Sequence, residues 1–203
     1  PTAATSRSSR FFASRRGPVV VAIDGLAGVG KSALAVAAAR ASMDGFPDGQ
    51  LYVDLQGASP GLRPLPPVEV LGRFLRTLGV RPSAVPDEEA EAAAMFRSMV
   101  AQRRILVVLD DAASVAQVRP LLPAGPGCAA VVTSRDVLLG LSEAVRVPLG
   151  VLTGSDAIAL LGRLVGPERV AEDPGAALRI ATLCGHLPLA LRVAAARLVA
   201  RPG

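Results

Sequence analysis

The residues Gly25-Leu26-Ala27-Gly28-Val29-Gly30-Lys31-Ser32 match the pattern G-x-x-x-x-G-K-[ST] at every fixed position. The flanks agree with it. Val19-Val20-Val21-Ala22-Ile23 before it is a β-branched apolar run that reads as a buried strand. Ala33 to Ala39 after it is made of helix formers, mainly alanine. Strand, glycine turn and helix in that order make a cradle for a phosphate chain. Gly25, Gly28 and Gly30 let the backbone wrap closely around it. The amides of Gly28 to Ser32, with Val29 among them, lie at a helix N-terminus, where unpaired donors and the helix dipole favour anions. Lys31 adds a mobile charge that reaches β- and γ-phosphates, and the Ser32 hydroxyl can ligate Mg²⁺. The competing reading is a glycine-rich turn ahead of a buried helix. Lys31 weighs against it. It is the only lysine among 22 Lys and Arg residues, and it stands where a compact ammonium suits better than a planar guanidinium.

A chain of 203 residues holds one α/β domain and a small appendage. It is 51% apolar but only 3% aromatic, so its core must be built from Leu, Val, Ile and Ala. No apolar run approaches the roughly 18 residues of a membrane span. Arg15-Arg16 followed by Val19–Ile23 is too short for a signal peptide and ends at Asp24. Cys128 and Cys184 lack metal spacing and make a poor disulfide framework, which points to a reduced, cytoplasmic protein. The net charge is +5, but the arginines are scattered, and one tyrosine and five phenylalanines offer little base stacking. No direct nucleic-acid contact is expected from this segment.

Residues 1–17 read as a flexible tail. The first helix is expected to end at Met43-Asp44-Gly45, with Gly45 as its left-handed C′ residue. Gln50 to Gln56 alternates apolar and polar, a half-buried strand near a sheet edge. Gly57 to Pro67 is a loop, and Val68 to Leu78 a helix stopped by Gly79. Asp87 is expected to cap a helix with Glu88 and Glu89 in its first turn, Arg103 at its end, and Ala92, Met95, Phe96 and Met99 buried. Ala144 to Leu149 gives a fifth strand. Beyond Gly150 everything is helical: Thr153 with Asp156 opens one helix, which Gly166 ends. Asp173 caps a second that begins at Pro174, and a third runs from Leu187 to Ala200. His186 falls in a turn, more a linker residue than a catalyst.

Two further runs carry chemistry. Ile105 to Leu109 is a strand buried on both faces that ends in Asp110-Asp111. Carboxylates at that end lie where open α/β sheets bind ligands. As a Walker B element, Asp110 would hold Mg²⁺ through water and Asp111 would orient or deprotonate an attacking water. Alternatively the pair caps the next helix. Ala129 to Ser134 is a third buried strand, followed by Arg135. This arginine either reaches a γ-phosphate or is an exposed loop residue.

Five ordered stretches, GLAGVGKSALA, FPDGQLYVDLQG, ILVVLDDA, VVTSRD and LCGHLPLAL, resemble the STAND class of nucleotide-binding modules of NB-ARC type. Within it they are most similar to the AfsR/SARP-type transcriptional regulators of antibiotic-producing bacteria, over about residues 18–203. The resemblance implies a P-loop NTPase fold of three α/β/α layers, with a parallel five-stranded sheet in the order 5-1-4-3-2 and a small helical subdomain after it. It implies domains at 18–150 and 151–203. It implies ATP or ADP with Mg²⁺ as cofactors. The cofactor-binding set is Gly25, Gly28, Val29, Gly30, Lys31, Ser32, Ala33, Arg135 and Pro188, whose ring would pack on adenine. Ser32 and Asp110 are the metal ligands, and Asp111, Lys31 and Arg135 the catalytic set. The family's glycine-arginine element upstream of the first strand is not recognisable in residues 1–17, and its winged-helix portion is not matched.

The expected function is an ATP/ADP switch with slow Mg-dependent hydrolysis inside a bacterial transcriptional regulator. Its partners would be the regulator's DNA-binding, winged-helix and sensor-repeat domains, and a second copy in a nucleotide-dependent oligomer. Two rivals stand beside it: a phosphotransferase acting on a small substrate, and a nucleotide-binding module without turnover. A Ras-type guanine site is excluded, because N-K-x-D needs an asparagine and the chain has none. Leu141-Ser142-Glu143-Ala144 does not supply an ABC-transporter signature.

Overall fold

The computed structural model describes residues 17–58 and 61–200. Apart from Gly17, the tail expected at residues 1–17 lies outside the described residues. The strands are β1 (Val19–Asp24), β2 (Gln50–Asp54), β3 (Leu106–Ala112), β4 (Ala129–Ser134) and β5 (Val145–Pro148). The helices are α1 (Lys31–Ala41), α2 (Pro67–Thr77), α3 (Glu89–Val100), α4 (Val115–Val118), α5 (Gly154–Val165), α6 (Pro167–Glu172), α7 (Pro174–Leu183) and α8 (Pro188–Ala200).

The strands form one parallel sheet in the order β2-β3-β4-β1-β5, which from the other edge is the expected 5-1-4-3-2. Burial explains the order. Leu106 to Asp110 of β3 is buried throughout, so this strand is covered on both faces and must be internal. β2 alternates exposed and buried residues, and β5 is almost wholly exposed, as edge strands tolerate. Ala129 of β4 pairs with both Val19 and Leu106, which places β4 between β1 and β3.

The chain divides into two compact units. One runs to Asp24 and then from Ser32 to Val147; its core joins Val107, Leu109 and Val132 of the sheet to Leu71 and Phe74 of α2 and Phe96 of α3. The Phe74 and Phe96 rings stand 5.6 Å apart, centre to centre. Burying each such side chain contributes about 1.5–3 kcal/mol.

The other unit joins Gly25–Lys31 to the segment from Pro148 onward. Its helices begin where local chemistry dictates. Thr153 Oγ1 accepts from the Asp156 amide at 3.1 Å, Asp173 Oδ1 accepts from the Ala176 amide at 2.8 Å, and Gly166 ends α5 with φ +99°. Ala157, Ala181 and Leu191 form one small cluster and Leu161, Ala177 and Ala195 another. Among the described residues no helix is long and apolar enough to cross a membrane.

Several expectations need correction. Gly45 does not adopt a left-handed C′ conformation: α1 ends at Ala41, and Met43–Gly45 forms a separate 3₁₀ turn. Asp87 does not cap α3. Glu88 occupies that place without a side-chain bond, and Glu89 and Glu91 complement the dipole. The last-turn base is Arg97, since Arg103 lies beyond the helix. Ala92, Ala93, Phe96 and Val100 form its buried stripe, leaving Met95 and Met99 as partly buried flanks. Helix α6 is an element that periodicity did not reveal, because six residues are less than two turns.

Candidate functional site

β1 runs directly into the glycine loop, and α1 opens at Lys31. Lys31 is only 8% exposed, and its Nζ donates to the carbonyls of Gly25 at 2.8 Å and Leu26 at 2.9 Å. The ammonium therefore folds back over the loop that contains it. Such a lysine can pass its donors to phosphate oxygens without leaving the loop. The Val29 side chain is buried, and its amide donates to the Leu26 carbonyl at 3.4 Å, so this one of the expected phosphate-facing amides also closes the turn. Ser32 and Ala33 are exposed at the start of α1.

Two glycines in the loop are demanded by close approach. A Cβ on Gly25 would stand 2.3 Å from the carbonyl oxygen of Leu149, and φ there is +148°. A Cβ on Gly28 would stand 3.1 Å from Leu189 Cβ, with φ +78°. The Leu189 amide, in the first turn of α8, donates to the Gly28 carbonyl at 3.2 Å. Pro188 is the first residue of α8, so the expected adenine-packing proline and the phosphate loop are joined in one unit through the residue that follows it.

The second group lies at the carboxyl end of β3. The β3–β4 register breaks between Leu109 and Ala112, so Asp110 and Asp111 sit on an irregularity of the ladder and meet different hydrogen-bond partners. Asp110 is 6% exposed. Its Oδ1 accepts from the Thr133 hydroxyl of β4 and its Oδ2 from the Tyr52 phenol of β2 at 3.1 Å. Partial burial, then the charge of Asp110 and the bond to it, push the Tyr52 phenol up to about 12.

Asp111 takes a left-handed φ of 51°. Its amide donates to Thr133 Oγ1 at 2.9 Å, and its Oδ2 accepts from the Ala58 amide at 3.0 Å. Its carbonyl accepts from the Gly57 amide at 2.6 Å. Arg135 closes the ring: its guanidinium donates to the Ala58 carbonyl at 2.7 Å, and its Nε lies 4.0 Å from Asp111 Oδ1. Arg135 is thus an exposed residue that is nevertheless engaged, with a side-chain exposure of 45%.

Within the sheet unit, Asp110, Asp111 and Arg135 come together; within the other, Gly25, Gly28, Lys31 and Pro188 do. Sequence reasoning missed Tyr52, Thr133 and the Gly57–Ala58 loop. The signal for Tyr52 was its polar-face position in the β2 alternation, and for Thr133 a hydroxyl at the end of a buried strand. His186 lies in a turn with φ +55°. Its amide donates to Ala181 and its carbonyl accepts from Leu152, which fits a linker role.

Comparisons with known proteins agree with this architecture. The NB-ARC domain model matches residues 9–170. The chain is 52% identical over 196 residues to the regulatory protein AfsR of Streptomyces coelicolor, and 53% identical over 182 residues to that of Streptomyces griseus. These matches cover 97% and 90% of the chain, but only 20% and 18% of the relatives, so the chain spans about a fifth of their length. A STAND protein with a tetratricopeptide repeat sensor from Pyrococcus horikoshii superposes with a TM-score of 0.56 at 22% identity, over 90% of this chain and 28% of that one. The ORC2 protein of Aeropyrum pernix, solved as ADPNP–ADP complexes, gives 0.52 at 18% identity, over 78% and 50%. At those identities the likeness is one of fold. The family match and the identity to the two regulators together show that the chain belongs to the NB-ARC domain family.

Proposed function

We propose that this segment is an adenine-nucleotide switch of a bacterial transcriptional regulator, binding ATP or ADP with Mg²⁺ and hydrolysing ATP slowly. The observation that carries the reading is Lys31 Nζ seated on the Gly25 and Leu26 carbonyls at the head of α1. A full charge beside the N-terminus of a helix, whose unpaired amides and dipole favour anions, supports a phosphate site there. In this reading Gly25 to Ala33 hold the phosphates, Pro188 packs on the base, and Arg135 senses the third phosphate.

The donor set fits a magnesium ion. Among the described residues no group of three or more His, Cys, Asp or Glu is placed to hold a metal. The ion would rest on Asp110, Ser32, waters and phosphate oxygens, and Mg²⁺ favours such sites with few protein ligands. When bound, it neutralises charge on the phosphates. Asp111 would orient the attacking water, its carboxylate placed by the Ala58 amide.

In the same reading, residues 18–150 form the nucleotide-binding domain and residues 151–203 a helical subdomain. The much greater length of the two AfsR relatives supports further domains in the same regulator. DNA binding and sensing by those domains, and a cytoplasmic setting, are part of the same proposal. The test is to purify the chain, identify any bound nucleotide, and follow exchange and phosphate release with Mg²⁺. ADP or ATP in the preparation and slow phosphate release without an acceptor are expected. Release only with a small acceptor would make it a phosphotransferase, and binding with no release a module without turnover.

A further inference from the structure

Asp110 is gripped from both sides. β3 lies between β2 and β4, and each neighbour sends one hydroxyl to a different oxygen of the same carboxylate. Thr133 is buried at 1% exposure, as a hydroxyl within the sheet would be. Tyr52 is not: its side of β2 faces outward, and the residue is 55% exposed. In the register Tyr52 stands opposite Val108, and Asp54 opposite Asp110, so the phenol reaches along the sheet by two residues to make its bond. An aromatic that contributes so little to the core is explained by its hydroxyl.

We propose that Tyr52 is a positioning residue of the magnesium site. Its phenol and the Thr133 hydroxyl fix the plane of the Asp110 carboxylate and leave lone pairs on both oxygens for the waters of a hydrated ion. Each carboxylate oxygen has room for a second donor beside the one it already accepts, so the clamp and the ion do not exclude each other. A carboxylate held in place before the ion arrives loses less freedom when it binds. This inference rests on Asp110 being the metal carboxylate.

The experiment is a set of ADP titrations with excess Mg²⁺ and with a chelator, on wild type, Tyr52→Phe and Asp110→Asn. The quantity read is the ratio of the two affinities, with melting temperature in chelator as the check on the fold. In Tyr52→Phe that ratio should fall about three- to tenfold, while affinity in chelator stays at the wild-type value. The loss should stay below the range for a hydrogen bond to a charged group, because water can reach the half-exposed position and take the place of the phenol. Tyr52 is the only tyrosine and the chain has no tryptophan, so emission from the phenol gives a second readout. Mg²⁺ added to the ADP complex should change that emission in wild type and not in Asp110→Asn.

An unchanged or raised ratio in Tyr52→Phe, with Asp110→Asn losing its Mg²⁺ dependence, would overturn the role of Tyr52 alone. An unchanged ratio in Asp110→Asn would instead overturn Asp110 as the metal carboxylate. Should Tyr52→Phe not fold, the emission comparison decides: the same Mg²⁺ response in wild type and Asp110→Asn would overturn the proposal.

Discussion

The Thr133 hydroxyl donates to Asp110 Oδ1 and at the same time accepts the Asp111 amide at 2.9 Å. One hydroxyl thus serves both acidic residues at the break in the β3–β4 register. Thr133→Val keeps the shape and removes both bonds. It leaves a buried carboxylate oxygen and an amide short of a partner, which costs about 1–3 kcal/mol. Urea unfolding should show that loss, and Thr133→Ser should recover most of it. An unchanged midpoint in Thr133→Val would mean that water replaces the hydroxyl.

Gly25 and Gly30 both have positive φ, +148° and +107°, but only Gly25 would meet another residue, the Leu149 carbonyl. Alanine at either position is strained by about 1–3 kcal/mol. Gly25→Ala must also displace that carbonyl, so it should be clearly the more destabilised of the two in thermal unfolding. Equal melting temperatures would show that the Leu149 backbone moves aside freely.

The Tyr52 phenol, raised from 10.0 to about 12, gives stability an alkaline limit. The unfolded chain loses its phenolic proton near pH 10 and the folded chain does so only near 12. The contribution is therefore complete below pH 10 and is lost as pH rises toward 12. Near-ultraviolet absorbance follows this titration directly, because one tyrosine and no tryptophan are present. Asp110→Asn should move the midpoint down toward the ordinary value. It should not restore it completely, since burial and Asp54 also raise it. A midpoint that ignores Asp110→Asn would break the link between these two groups.

How much of this was legible in the chain depends on sequence distance. The glycine loop, the continuous apolar runs of β3 and β4 and the Thr153 and Asp173 caps are signals written within a few residues of one another, so the residues alone announced these elements. Asp87 reads as a cap because an acidic residue one position early looks the same in sequence, and only the backbone at Glu88 separates the two. The Tyr52–Asp110 bond spans 58 residues and the Arg135–Ala58 bond 77. Both depend on strand order and register, which exist only once the sheet is assembled. Motif spacing could name Asp110 and Arg135 but not what holds them.

Arg135→Ala tests the sensing of the third phosphate. ADP affinity should stay nearly unchanged while the preference for ATP is lost. The effect is bounded by one charged hydrogen bond, about 1.5–3 kcal/mol. Driving a two-state equilibrium from 1:99 to 99:1 takes about 5.5 kcal/mol, so Arg135 alone cannot throw a switch. Because its guanidinium holds the Ala58 carbonyl, hydrogen exchange at the Ala58 amide should also quicken. Equal loss of ADP and ATP affinity would place Arg135 on the shared phosphates or the fold.

The most direct measurement is a competition titration of ATP and GTP in Mg²⁺ on wild type and Lys31→Ala. ATP is expected to bind and GTP to bind much more weakly, because no N-K-x-D element is present to read guanine. Lys31→Ala removes a charge-assisted contact worth about 1.5–3 kcal/mol, so ATP affinity should fall tenfold or more with the fold intact. Equal ATP and GTP affinities, or ATP binding unchanged in a folded Lys31→Ala chain, would contradict an adenine-nucleotide switch built on this loop.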